Sequence, residues 1–185
     1  MIRKLAILSV LLLATACVPP IVVTAPQEPI QVGFYNVTPQ IEWNRPTFTQ
    51  FESWTVDGYA LQALRFHEVP DGETLFLEEN KDGKIPAFRK AMLANEIQEF
   101  VVATYAGDGW ANIKPSGLQP VKFGSTPGFR FSMSMQSDDG LDYLATAYGC
   151  VKDDTLHLIL YSGTALHYYP KNADAVEKLF ASIRG

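Results

Sequence analysis

Apolar and polar side chains alternate along Gly128–Gln136, with Phe129, Phe131, Met133 and Met135 on one side and Arg130, Ser132, Ser134 and Gln136 on the other. Successive side chains of a strand point to opposite faces, so this period predicts a strand with one face in a core and the other wet or lining a groove. Leu156, Leu158 and Leu160 repeat the pattern, but Ile159 and Tyr161 are apolar on the opposite side. A strand apolar on both faces sits centrally, with layers above and below it. A turn at Ser137–Gly140 leads into Leu141–Val151, and Asp153-Asp154 turns the chain into Leu156–Tyr161, which predicts an antiparallel meander of three strands. Asp-Gly pairs at Asp57-Gly58, Asp71-Gly72, Asp82-Gly83, Asp108-Gly109 and Asp139-Gly140 tolerate the positive φ of tight turns. The first of them joins Phe51–Val56 to Tyr59–His67 as a predicted hairpin.

Two stretches carry the longer period of a helix. Asn95 followed by Gln98 fits a capping-box variant, with Ile97, Phe100, Val101 and Thr104 on one face and Gly107 as the stop. Val176, Leu179, Phe180 and Ile183 recur at i, i+3, i+4 and i+7, predicting an amphipathic helix from about Asn172 to Arg184. The expected class is α+β, an antiparallel sheet flanked by helices.

The chain starts differently. Arg3 and Lys4 precede an apolar run, Leu5–Leu13, and Ala14-Thr15-Ala16 ends in Cys17. The run falls well short of the roughly 20 apolar residues that a membrane span needs. A basic start, a short apolar stretch and a small-residue cleavage site make a secretory leader, Met1–Ala16. With Cys17 directly after the cut, the segment resembles the signal peptide of a bacterial lipoprotein. It departs from that pattern in having Ala14, not Leu, three places before the cysteine. The resemblance implies that Cys17 is the lipid attachment site and the new N-terminus. Each buried methylene contributes about 0.8 kcal/mol, so more than one acyl chain anchors stably. Val18 stands where the family's inner-membrane retention signal has Asp, which implies an outer-membrane location facing the periplasm. Pro19, Pro20, Pro26 and Pro29 follow. Proline removes a backbone donor and favours extended chain, so residues 17–30 read as a lipidated tether and residues 31–185 as one domain.

Charge narrows the classes of partner. The net charge is −5, and the leader takes two basic residues with it. No basic cluster stands against that excess, which disfavours a nucleic-acid role. Cys150 is the remaining cysteine once Cys17 is acylated, so no intramolecular disulfide forms, and in Tyr148-Gly149-Cys150-Val151 it reads as a small buried hydrophobe.

The final third is similar to the PsbP-like α/β/α sandwich of small secreted and lipid-anchored bacterial proteins. The similarity rests on Gly128-Phe129-Arg130-Phe131, on Tyr148-Gly149-Cys150-Val151, on Leu156–Tyr161 entering Ser162-Gly163, and on the terminal Leu179-Phe180-Ala181-Ser182-Ile183. It implies an accessory, assembly or binding protein rather than an enzyme, and it brings no catalytic motif to carry over. The chain itself has no nucleophile elbow, zinc-protease helix, P-loop or C-x-x-C pair. Cys150, His157 and His167 match no zinc spacing, and Asp138, Asp139 and Asp142 lack the ligand order of a calcium loop. No metal or cofactor is expected. Trp110, with His167, Tyr168 and Tyr169, forms the candidate interaction surface, because Tyr and Trp combine apolar bodies with hydrogen-bonding tips. These features lead to a membrane-held, non-enzymatic protein that binds a protein or other component of the cell envelope. A carrier of small hydrophobic ligands or lipids, with a cleft between sheet and helices, is the second reading, and a hydrolase assembled from distant residues the third.

Overall fold

The computed structural model describes residues 21–47, 51–76 and 85–185. The leader, Cys17 and the Asp82-Gly83 pair lie outside them. Short strands come first: β1 (Ile21–Val23), β2 (Ile30–Val32), β3 (Tyr35–Val37), β4 (Asn44–Pro46) and β5 (Ser53–Trp54). There follow β6 (Gln62–Pro70), α1 (Ala94–Gly107), β7 (Ala111–Phe123), β8 (Thr126–Gln136), β9 (Asp142–Lys152), β10 (Thr155–Thr164) and α2 (Tyr168–Ala181). Six strands form one antiparallel sheet in the order β5-β6-β10-β9-β8-β7. The class is α+β.

The doubly apolar β10 takes the interior position its sequence requires. Leu156, Leu158 and Leu160 join the core under α1, with Phe129, Phe131, Met133 and Met135 of β8 and Ile97, Phe100 and Val101 of the helix. Ile159 and Tyr161 point the other way, into a second core with Val176, Leu179, Phe180 and Ile183 of the α2 region. The two helices therefore cover opposite faces of the sheet. The meander β8-β9-β10 stands as expected from the sequence. β5 and β6 also pair as a hairpin, but β5 is only Ser53–Trp54, β6 starts at Gln62, and Asp57-Gly58 lies within the longer connection 55–61 rather than forming a tight turn. In the four described Asp-Gly pairs the glycine has positive φ, from 85° at Gly140 to 106° at Gly58.

Helix boundaries differ from the expectation. α1 is capped at Leu93, whose N–H donates to Glu96 Oε2 at 2.6 Å, so Glu96 supplies the reciprocal half of a capping box and Asn95 is already helical. α2 begins at Tyr168, not Asn172, because Pro170 falls in the first turn, where a missing N–H leaves no bond unmade. It ends at Ala181 because the next residues pair elsewhere: Asn36 and Arg184 exchange backbone hydrogen bonds at 2.7 and 3.1 Å, and the Thr38 N–H donates to Ser182 Oγ at 2.8 Å.

That pairing clips the β2-β3 hairpin onto the end of α2, and the segment buries Tyr35, Val37, Trp43 and Trp54 on the α2 side. Ordered pairing also extends into the stretch read as tether: Ile21–Val23 pair with Asn44–Pro46, and the Trp43 N–H donates to the buried Thr24 Oγ1 at 2.9 Å. Among the described residues, no helix is long and apolar enough to cross a membrane.

Candidate functional site

On the α1 face, at the end of the sheet where β6 and β9 begin and β10 finishes, an open cavity of about 430 Å³ lies between the strands and the C-terminus of the helix. Its size falls within the ordinary range of small-molecule sites. Arg65 forms part of its floor. In β6 its neighbours Leu64 and Phe66 face the α2 core, so the alternation of the strand turns Arg65 to the opposite side, across from Leu160. Arg65 Nη1 donates to Ser162 Oγ at 3.3 Å. Among the described residues no ion pair engages this guanidinium.

Among the described residues, six aromatic side chains complete the walls: Phe51, Tyr59, Phe76, Tyr105, Trp110 and Tyr143. The end of α1 sets the position of the most prominent one. Gly109, at φ 97°, adopts the left-handed conformation, its N–H donating to the Ala106 carbonyl at 3.3 Å. The Trp110 N–H then reaches back to the Tyr105 carbonyl at 3.1 Å, which completes a Schellman motif. The motif's usual apolar contact between these two positions is here an aromatic one, the rings of Tyr105 and Trp110 standing 6.0 Å apart. Gly109, not Gly107, is thus the stop residue of α1, and it delivers Trp110 to the cavity.

Edge-to-face contacts hold the wall together. Phe76 meets Tyr105 at 5.3 Å and Trp110 meets Tyr143 at 5.0 Å, with ring planes inclined by 71° and 85°. The Tyr143 hydroxyl donates to the Ala60 carbonyl at 2.5 Å, and the Tyr59 hydroxyl to the Ser53 carbonyl at 2.9 Å. Burial pushes the phenols of Tyr59, Tyr105 and Tyr143 above their ordinary range, so all three are neutral at physiological pH.

The candidate surface residues are not brought together. Trp110 lies on the α1 face, whereas Tyr169 belongs to the α2 face, where it stacks on Tyr161 at 5.0 Å and its hydroxyl is 2.7 Å from Thr146 Oγ1. Tyr168 is half-buried in the first turn of α2, and its carbonyl accepts from the Tyr161 hydroxyl at 3.1 Å. His167 is exposed at the helix N-cap, beside Leu166, which is 96% exposed. Sequence reasoning missed Arg65 and Tyr143 altogether. The signal available was Arg65 interrupting the apolar run Ala63-Leu64-Arg65-Phe66.

The remaining groups with chemical potential are scattered. Cys150 and His157 are register partners on β9 and β10, but His167 is at the far end of that strand pair, past Thr164. Burial pushes the Cys150 thiol up to about 12, so it stays protonated and is a poor metal ligand. His157 Nδ1 is 3.7 Å from Glu68 Oε1 and its ring meets Phe34 at 4.5 Å. His67 is fully buried and hydrogen-bonded to the Leu75 backbone, and burial pushes it down to about 3. At the β8-β9 turn Asp139 accepts from Ser137 and Asp142 from Gln136, and among the described residues no cluster of His, Cys, Asp and Glu is arranged to hold a metal ion.

No family model matches the chain, and a search of curated proteins gives no match either.

Proposed function

We propose that this protein is a non-catalytic binding protein of the cell envelope, held at the outer membrane through lipid on Cys17, that takes a small, largely apolar ligand into the cavity beneath the end of α1. The observation that carries the reading is the cavity itself: six aromatic walls around one polar floor, a composition typical of ligand sites and wasteful on an idle surface. Helices on opposite faces of an antiparallel sheet support the PsbP-like sandwich, and with it the family's accessory and binding roles. The leader and Cys17 support the anchor. A tethered binding protein works at raised local concentration beside its membrane partners.

A protein partner is the second reading. It is favoured by Ile21, Val22 and Val23, three consecutive apolar residues that are 52, 49 and 53% exposed on the β1-β4 ribbon.

Titration with the uncharged fluorescent probe N-phenyl-1-naphthylamine tests the cavity. The wild-type protein should bind it with one saturable site. Trp110→Ala should weaken binding on the order of tenfold, because an aromatic contact is worth about 1 kcal/mol beyond its area. Absence of saturable binding, or equal binding by the variant with its circular dichroism unchanged, would overturn the assignment.

A further inference from the structure

We infer that the cavity beneath α1 selects a small aromatic molecule carrying an oxyanion group, such as a carboxylate or sulfonate, with the anion on Arg65 and the ring among Tyr105, Trp110 and Tyr143. This deepens the proposed function and rests on the cavity being the binding site.

The guanidinium of Arg65 has five N–H groups in a rigid fork suited to bidentate oxyanion contacts. One of them is directed at Ser162 Oγ, at a long 3.3 Å, and among the described residues no ion pair occupies the rest. A cation placed among aromatic walls, with no ion pair to it among the described residues, is completed by a ligand that brings the opposite charge. The phenols around it cannot do so, since they are neutral. Arg65 shares the lining of the cavity with Tyr59, Tyr105 and Tyr143. Ser162 adds a hydroxyl beside the guanidinium, able to turn its proton toward an anion.

The apolar half of the ligand follows from the rings. Phe76, Tyr105, Trp110 and Tyr143 form a continuous series of edge-to-face contacts on one side of the cavity. Such a wall offers both ring edges and ring faces, which suits a planar aromatic guest better than a flexible alkyl chain. Among the described residues, Asp108 is the acidic one that lines the cavity. Arg65 and Ser162 lie on the strands and Tyr105 and Trp110 at the end of α1, which orients the anionic group toward the sheet and the ring toward the helix.

Two probes with the same apolar body separate the charge from the cavity. 1-Anilinonaphthalene-8-sulfonate carries a sulfonate that N-phenyl-1-naphthylamine lacks. Wild-type protein should bind the sulfonate more tightly. Arg65→Gln should weaken sulfonate binding on the order of 10- to 100-fold, the range expected for a lost charge-assisted hydrogen bond, a larger loss than the same variant shows for the uncharged probe. Arg65→Lys should fall between. An arm that needs no variant uses wild-type protein alone: 2-naphthalenesulfonate should displace N-phenyl-1-naphthylamine at concentrations where 2-naphthol does not. Equal binding of the two fluorescent probes, or equal displacement by the two naphthalenes, would overturn the anion assignment while leaving the cavity as a binding site. Failure of both probes to bind the wild-type protein would remove the site itself.

Discussion

His67 is neutral because the interior denies a charge its hydration and the Arg65 guanidinium opposes a second cation, and the hydrogen bond with the Leu75 backbone does not offset that loss. The ring lies 5.2 Å from Phe51 and 6.3 Å from Phe76, in a setting made for an aromatic hydrocarbon. Its pKa is about 3 in the folded protein, against an ordinary value of 6.5. Between these values the unfolded chain holds the extra proton, so stability falls as the pH falls through that window and is unaffected above it. Denaturant unfolding at pH 7 and pH 5 should show the wild-type protein losing about 2 kcal/mol more than His67→Phe. Identical losses in both proteins would assign the acid sensitivity elsewhere, His157 being depressed in the same direction. Single residues also mark how far the sequence could be read. Buried Cys150 and the inward row Phe129, Phe131, Met133 and Met135 were legible because alternation fixes a face. Arg65 was not, because one cation in a strand shows no more than which way it points. What made it a site residue was Ser162, Tyr105 and Tyr143 arriving from three distant elements.

Elements were most legible where local chemistry and burial agreed. Strands β8, β9 and β10 carry their period and their turns together, with Asp153 and Asp154 both at positive φ, 49° and 61°, in the tight turn between β9 and β10. The 13-residue strand β7 was invisible, and for a physical reason. It is an edge strand, exposed along most of its length, with Pro115, Gly117 and Pro120 in its interior and register shifts between Ala111 and Lys114 and between Ser116 and Gln119. Such residues read as loop, yet an edge tolerates proline, and the missing donors discourage further strand pairing. α1 ends at Gly107, but the left-handed residue that terminates it is the next glycine, for a subtler reason: a glycine within the helix and a glycine beyond it look alike in sequence, and of the two it is Gly109 that takes left-handed backbone. Gly109→Ala should destabilise the protein by about 1 kcal/mol or more, lowering the melting temperature by roughly 2–4 °C for each kcal/mol. It should also weaken binding of N-phenyl-1-naphthylamine, since the same motif positions Trp110. A variant with unchanged melting temperature and unchanged probe affinity would show that the motif does not place the ring.

The whole molecule is a sheet used on both faces for different ends. On the α2 side the N-terminal strands, the two buried tryptophans and the C-terminal residues lock together, so that both ends of the described chain are fastened to one core. On the α1 side the helix covers β7 and β8 and stops short of the β6 end, which leaves the cavity. This asymmetry was beyond the sequence, because periodicity reveals that a strand is covered twice but not where each cover ends. The aromatic residues chosen as one surface proved to belong to both sides for the same reason. The account joins an anchored N-terminus to an occupied cavity, and one spectrum reports on both. Native mass spectrometry of the protein released from its own membranes in mild detergent should show Cys17 as the acylated first residue and one small molecule bound per chain, lost on gentle activation and missing from Trp110→Ala. A spectrum of unmodified chains, empty at the cavity in wild type and variant alike, would contradict it.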